Sequence, residues 1–282
     1  MRQLIIAPAC LAGALLLSAC DTNEAAEVDR AFQDVNVIDA TNLNAVMLNA
    51  TDPNEAVTYF TRAAAENPDR IDLQRGLAKS LIRARRNTEG AAAWKKTAAM
   101  PGATSEDQVS LAGALIRKGD WDAAREVLNA VPPTHESFQR YRLEAMVADA
   151  NQEWDRADSF YEIAVGLTTT PAGVMNNWGY SKLTRGDYAD AERLFGEAIR
   201  QDQSLFTAKN NLVLSRGAQR NYALPVIPMQ QTERAQLLHT MALAAIKQGD
   251  VTIGEGLLRE AIETHPQHFE EAARSLQALL NG

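Results

Sequence analysis

The chain has 282 residues, with 28 Lys and Arg against 36 Asp and Glu, giving a formal net charge of −8. That balance argues against a general nucleic-acid binder, which needs a basic stripe to neutralise phosphates. Hydrophobic residues make up 46% and charged residues 23%, the mark of a folding chain, while two cysteines and four histidines leave little for a disulfide framework or a zinc site. Aromatics are only 6%, and Ala and Leu recur throughout, which favours close-packed helices over sheets.

Residues 1–19 read as an address. Met1 to Gln3 carries one positive charge, Arg2, and a 14-residue apolar run follows from Leu4 to Leu17. A bilayer-spanning helix needs about 20 apolar residues, so this run is expected to be a signal h-region. It ends in Leu17-Ser18-Ala19-Cys20, which resembles the bacterial lipobox. There the small residues fit the peptidase and the Cys20 thiol takes the diacylglycerol. The expected mature chain therefore starts at Cys20, is held to a membrane by its lipid anchor and has no disulfide.

Asp21 follows the acylated cysteine and resembles an inner-membrane retention signal of enteric bacteria. An outer-membrane lipoprotein facing the periplasm is the expectation, with the inner membrane left open by Asp21. Residues 20–36 are acidic, with Asp21, Glu24, Glu27, Asp29 and Asp34 against Arg30. They read as a solvated tether that turns helical near Val28 to Val35.

From Val37 onward the sequence repeats. Aligning Gly119-Asp120, Gly186-Asp187 and Gly249-Asp250 places unit starts at Val37, Ile71, Ser105, Phe138, Ala172, Phe206 and Ala235, with spacings of 34, 34, 33, 34, 34 and 29 residues. Position 8 of the units is small: Ala78, Ala112, Ala145, Gly179 and Ala242. Position 20 is small again, with Ala56, Gly90, Ala124, Ala157, Ala191 and Gly254, so two helix axes can approach closely. Position 24 holds a large filler: Phe60, Trp94, Leu128, Tyr161, Phe195 and Leu258. Position 27 returns to small or β-branched side chains, and Pro68 and Pro266 at position 32 stop the second helix. This pattern resembles the tetratricopeptide repeat, a helix–turn–helix unit of 34 residues. The implied fold class is an all-α tetratricopeptide-repeat solenoid, a right-handed superhelix with a C-terminal capping helix.

Two places depart from the pattern. The unit from Phe206 has a first helix but no second, because Leu224-Pro225-Val226-Ile227-Pro228 falls where it should run. An extended connector over 224–230 is expected, with a fresh helix near Gln231. The Pro132-Pro133 pair shortens the helix that starts at Trp121. Residues 231–282 form the final repeat and a cap, the latter an amphipathic helix from Phe269 to Leu280.

No catalytic constellation emerges. No free cysteine survives processing, and no phosphate loop or nucleophile elbow is present. His265 and His268 flank Pro266 at a helix boundary, while His135 and His239 stand alone as surface or groove residues. The acid pairs Asp155/Asp158 and Glu192/Glu197 read as solvated faces. The chain is expected to be neither an enzyme nor the holder of a metal or cofactor.

What a stack of helix pairs offers is an inner wall made by the first helices, to which positions 2, 5, 6, 9, 12 and 13 of each unit point. In the N-terminal units these positions hold Arg75, Lys79, Arg83, Arg117 and Arg142, a basic run suited to an acidic segment. Further along they hold Asn176, Asn177, Tyr180, Asn210 and Asn211. Paired amides both donate and accept, so they suit a peptide main chain whatever its sequence.

The lipobox, the stretch Asn176-Asn177-Trp178-Gly179-Tyr180, the proline connector and the ending from Ala235 to Leu280 together resemble the TadD family, lipoproteins of the tight-adherence (Tad/Flp) pilus assembly system. The resemblance runs over nearly the whole chain. It implies a pilotin-like adaptor that helps the secretin channel reach or assemble in the outer membrane, with a secretin or another pilus component as partner. A scaffold for cell-wall hydrolases or proteases, and a subunit for assembling outer-membrane β-barrels, are alternatives that the residues leave open.

Overall fold

The computed structural model describes residues 43–281. The signal segment, Cys20, the acidic tether and the start of the first unit at Val37 lie outside them. Every regular element among the described residues is a helix: α1 (43–49), α2 (Pro53–Glu66), α3 (Ile71–Arg83), α4 (Asn87–Ala98), α5 (Ser105–Lys118), α6 (Trp121–Ala130), α7 (Phe138–Ala150), α8 (Trp154–Gly166), α9 (Ala172–Thr184), α10 (Tyr188–Gln201), α11 (Phe206–Ala218), α12 (Gln231–Lys247), α13 (Val251–Thr264) and α14 (Glu270–Asn281). The fold is an all-α tetratricopeptide-repeat solenoid. Two compact units divide it between Ala103 and Thr104, and the helices from 231 onward belong to the second of them.

The helix pairs are set by their turns. Gly119, Gly186 and Gly249 have φ of 89°, 82° and 84°, and the N–H of the Asp after each reaches back to the helix just ended. Only glycine adopts that left-handed conformation without cost. Arg85, Gln152 and Arg220 occupy the same place in other pairs at φ of 59°, 59° and 60°, so those turns are strained.

In the first unit, α2 begins where Asp52 accepts from the N–H groups of Asn54 and Glu55, with Pro53 at the first helical position. Phe60 packs with Ala64 and Leu73. A Cβ on Gly76 would lie 2.3 Å from the Phe60 ring, so the bare glycine is what lets α2 and α3 close on each other.

In the second unit the small residues at positions 8 and 20 are buried at each crossing, among them Ala112, Ala124, Ala145, Ala157 and Ala191, with no exposed surface. The large position-24 side chains Leu128, Tyr161, Phe195 and Leu258 are buried between them. At the α9–α10 crossing a Cβ on Gly179 would sit 2.7 Å from the Phe195 ring. Helix α6 ends at Ala130, ahead of Pro132-Pro133.

No helix pairs with α11 as its second partner. The chain from Asn221 to Gln230 is extended, and Leu224 and Ile227 fill hydrophobic contacts from it. Helix α12 then packs on α11, starting at Gln231, one turn ahead of Ala235. The buried Lys209 Nζ of α11 donates to Glu233 Oε2 of α12 at 2.9 Å. Glu233 also accepts from the Gln230 N–H, closing a capping box. Burial opposes its charge, but Lys209 and that N–H outweigh burial and hold Glu233 below the usual carboxylate range. The ion pair thus joins the two helices beside the apolar packing of Val213 against Leu237 and Met241. The ending is closed by α14, whose Ala272 is buried with Phe269 against Leu238 and Leu258.

Candidate functional site

Helices α7, α9 and α11 are first helices of successive pairs in the second unit, and their equivalent faces turn to one side. Met146, Asp149 and Ala150 of α7, Asn176, Asn177, Tyr180 and Thr184 of α9, and Thr207 and Asn211 of α11 line a single cleft there. Trp121 and Trp154, the first residues of α6 and α8, also line it. The cleft has a volume of about 550 Å³, within the range of ligand-holding pockets.

The expected amides separate. Asn211 Nδ2 donates to Asn176 Oδ1 at 3.1 Å, so these two form a bonded step from α11 to α9. Asn177 lines the cleft with no hydrogen-bond partner among the described residues, leaving its donor and acceptor for a ligand. Asn210 does not join them: its Oδ1 accepts from Thr240 Oγ1 of α12 at 2.8 Å. A helix turns about 100° per residue, so neighbouring asparagines face different partners. Tyr180 stands 53% exposed at the cleft's edge.

The basic residues likewise divide. Arg83 is committed to α1, its guanidinium donating to the carbonyls of Met47, Leu48 and Thr51. It caps that helix C-terminus, where a cation is favoured. Arg75 reaches the Gly102 carbonyl at 3.4 Å, and Lys79 is exposed. In the second unit Arg142 is half-buried, donates to Gln139 and lies 5.9 Å from the Phe138 ring. Burial and the neighbouring charge of Arg117 both lower its pKa.

Two acids that carry the site's electrostatics have different roles. Asp149 Oδ2 accepts from the buried Tyr161 hydroxyl at 2.7 Å, and Oδ1 accepts from Ser181 at 2.5 Å. Burial pushes the Asp149 carboxyl up, against the pull of those two hydroxyls. Burial, followed by the Asp149 charge, also pushes the Tyr161 phenol up. Asp149 stands at position 12 of its unit, a position already assigned to the inner wall. The residue type, not the register, kept it out of the expected set.

Asp158 corrects an expectation. It is not a solvated acid but a junction between α8 and α9, accepting from Trp178 Nε1 at 2.6 Å, Lys182 Nζ at 3.0 Å and Arg185 at 2.6 and 2.7 Å. Burial works against its charge, and these donors more than compensate, so its pKa falls below the usual value. Glu192 is tied in a similar way to Arg216 of α11 and to Gln219 just beyond its end. Asp158→Asn leaves Arg185, with a side chain only 13% exposed, short of its anion, while Lys182 keeps Asp187 and Asp190 at 3.3 and 3.5 Å. At pH 7 it should cost about 2 kcal/mol. A depressed carboxylate stabilises the fold above its unfolded pKa and ceases to do so as pH falls through its folded pKa. The penalty should therefore shrink below about pH 4, as urea titrations of both proteins at pH 7 and pH 3 would show.

Three of the four histidines contact neighbouring elements or rings, and His268 is exposed beside Glu270. His135 faces Glu106 at 3.3 Å, His239 meets Ser275 Oγ at 3.0 Å, and His265 stacks on Phe269. Among the described residues no group of His, Cys, Asp or Glu could hold a metal ion, and no helix is long and apolar enough to cross a membrane.

Paired helices crossing at small residues, with their first helices lining a cleft, define a tetratricopeptide-repeat scaffold. The chain has the tetratricopeptide-repeat fold, and a tetratricopeptide-repeat family model matches residues 48–107 and 75–136. No curated protein matches the sequence. Among solved structures, a tetratricopeptide repeat protein from Parabacteroides merdae is similar with a TM-score of 0.58 at 12% identity, over 85% of this chain and 97% of that one. The APC/C hetero-tetramer Cut9-Hcn1 gives a TM-score of 0.58 at 13% identity, over 84% of this chain and 48% of that one. The human IFIT1 dimer with PPP-AAAA gives 0.54 at 14%, over 81% of this chain and 59% of that one. The chain thus spans only about half of these last two proteins, and at such identities the likeness is of fold alone.

Proposed function

We propose that this protein is a membrane-anchored periplasmic adaptor that acts by binding protein segments, serving assembly of the tight-adherence pilus apparatus as a pilotin-like helper of its secretin. Tetratricopeptide repeats are protein-interaction scaffolds, and the fold is typically non-catalytic. The observation that carries the binding reading is the cleft of α7, α9 and α11, where aromatic walls flank the unpartnered Asn177 amide. Aromatic rings supply contact area at little entropic cost, and a free amide can pair with a peptide backbone.

The envelope role rests on the Leu17-Ser18-Ala19-Cys20 lipobox and on the resemblance to the pilus lipoproteins. An anchor with a tether raises the local concentration of the scaffold around membrane-bound partners. Cys20→Ala should release the protein from membranes and abolish secretin multimers, read by fractionation and by gel analysis of the secretin. Normal multimers and piliation with the soluble protein would refute the anchored role. Recovery of cell-wall hydrolases in place of pilus proteins by pull-down would favour the scaffold alternative.

A further inference from the structure

Asp149 is the one Asp, Glu, Lys, Arg or His side chain among the residues lining the cleft. It makes no ion pair among the described residues: its partners are the neutral hydroxyls of Tyr161 and Ser181. That contrasts with Asp158 nearby, which two cations neutralise. A half-buried carboxylate without a direct ion pair is costly, and burial raises its pKa against the pull of the two hydroxyls and the more distant charge of Arg185, which Asp158 already pairs. The rings of Trp121, Trp154 and Tyr180 line the same cleft. An aromatic face attracts a cation through its quadrupole, most strongly for tryptophan. Trp154 already holds the Arg185 guanidinium at 5.5 Å from its centroid, and that arginine is itself neutralised by Asp158.

Apart from Arg185, which Asp158 pairs, the nearest cation of α7 without an acidic partner among the described residues is Arg142, two turns earlier on that helix. At 1.5 Å per residue this is about 10 Å along the axis, roughly one Debye length in physiological salt. The charge of Arg142 therefore does not cancel that of Asp149 within the cleft. A negative pocket with aromatic walls and a positive site one short peptide step away make a polarised groove.

From this juxtaposition we infer that the cleft takes a lysine or arginine side chain of the bound protein segment, its cation seated against Asp149 between Trp121, Trp154 and Tyr180. The inference rests on the proposed reading of the cleft as a peptide groove and names the chemistry it selects. The aliphatic stem of the inserted side chain packs on the rings while its charge meets the carboxylate. Main-chain bonds to Asn177 then hold the segment irrespective of its other residues.

Selection of a random decapeptide library on the purified protein, lacking residues 1–20, tests this. Lysine or arginine should be enriched at one fixed position. Replacing that lysine by norleucine should weaken binding to the wild type about tenfold, and Asp149→Asn should weaken the lysine peptide about as much. The norleucine change should then cost the variant nothing, since a coupled pair is removed only once. Because the peptide change leaves the protein untouched, the test survives even if the variant folds poorly. Enrichment of apolar or acidic residues in place of the cation, or equal binding of lysine and norleucine peptides, would overturn the inference while leaving the groove intact. Failure to enrich any peptide would overturn the groove reading and this inference with it.

Discussion

Ala191→Trp should lower the melting temperature by about 10 °C, read by circular dichroism. Ala191 is fully buried where α10 crosses α9, packed with Phe195, Ala198 and Leu212. Across the crossing, Gly179 already lacks room for a single carbon beside the Phe195 ring. An indole there must push the two helix axes apart, and overpacking of a tight core costs about 3 kcal/mol. For a unit of this size each kcal/mol shifts the midpoint by about 2–4 °C. Since each pair in a solenoid is held by its neighbours, the separation should also loosen α11 and be visible as faster hydrogen exchange there. A variant that melts with the wild type would show that this crossing is not where α9 and α10 meet.

Tyr180→Ala should weaken a cleft-binding peptide by about tenfold to a hundredfold without lowering stability, measured by calorimetry beside a thermal melt. Tyr180 is more than half exposed, so its removal opens no core cavity. Yet it lines the cleft together with Trp121 and Trp154, where an aromatic side chain gains most by covering a bound segment. Truncations of such residues commonly cost 2 kcal/mol or more of binding. Unaltered affinity would remove Tyr180, and the wall it forms, from the binding surface.

Much of the fold is legible in the sequence because its constraint is one-dimensional and repeated. A small residue at each crossing and a large one a turn further on recur at a fixed spacing, so Ala124, Ala157 and Ala191 identify one another without any knowledge of long-range contacts. Pro225 and Pro228 are equally legible, since a ring without an N–H ends a helix wherever it stands. The residues of α11 and α12 are less so. What joins them is the ion pair between Lys209 and Glu233, 24 positions apart, together with the packing of Val213 on Leu237 and Met241, and no local pattern announces either.

The site was legible only in part. The inner-wall positions place Asn176, Asn177, Tyr180 and Asn211 in one cleft, but the same rule includes Asn210, which turns instead to Thr240. Arg83 satisfies the rule and spends its donors on the end of α1, 35 residues earlier. Asp158 looks solvated when one helix is considered alone. Its partners Trp178, Lys182 and Arg185 all belong to the next unit, so its role exists only after the units stack. Asp149 was missed for a different reason: its position was right, but one acid among basic and amide neighbours gave no pattern to follow.

The most direct test is a crystal structure of the protein with a library-selected peptide. The peptide should lie across α7, α9 and α11, bonded through its main chain to Asn177 and covered by Tyr180. A peptide bound instead on the outer faces of α8 and α10, with the cleft empty, would contradict the proposed groove.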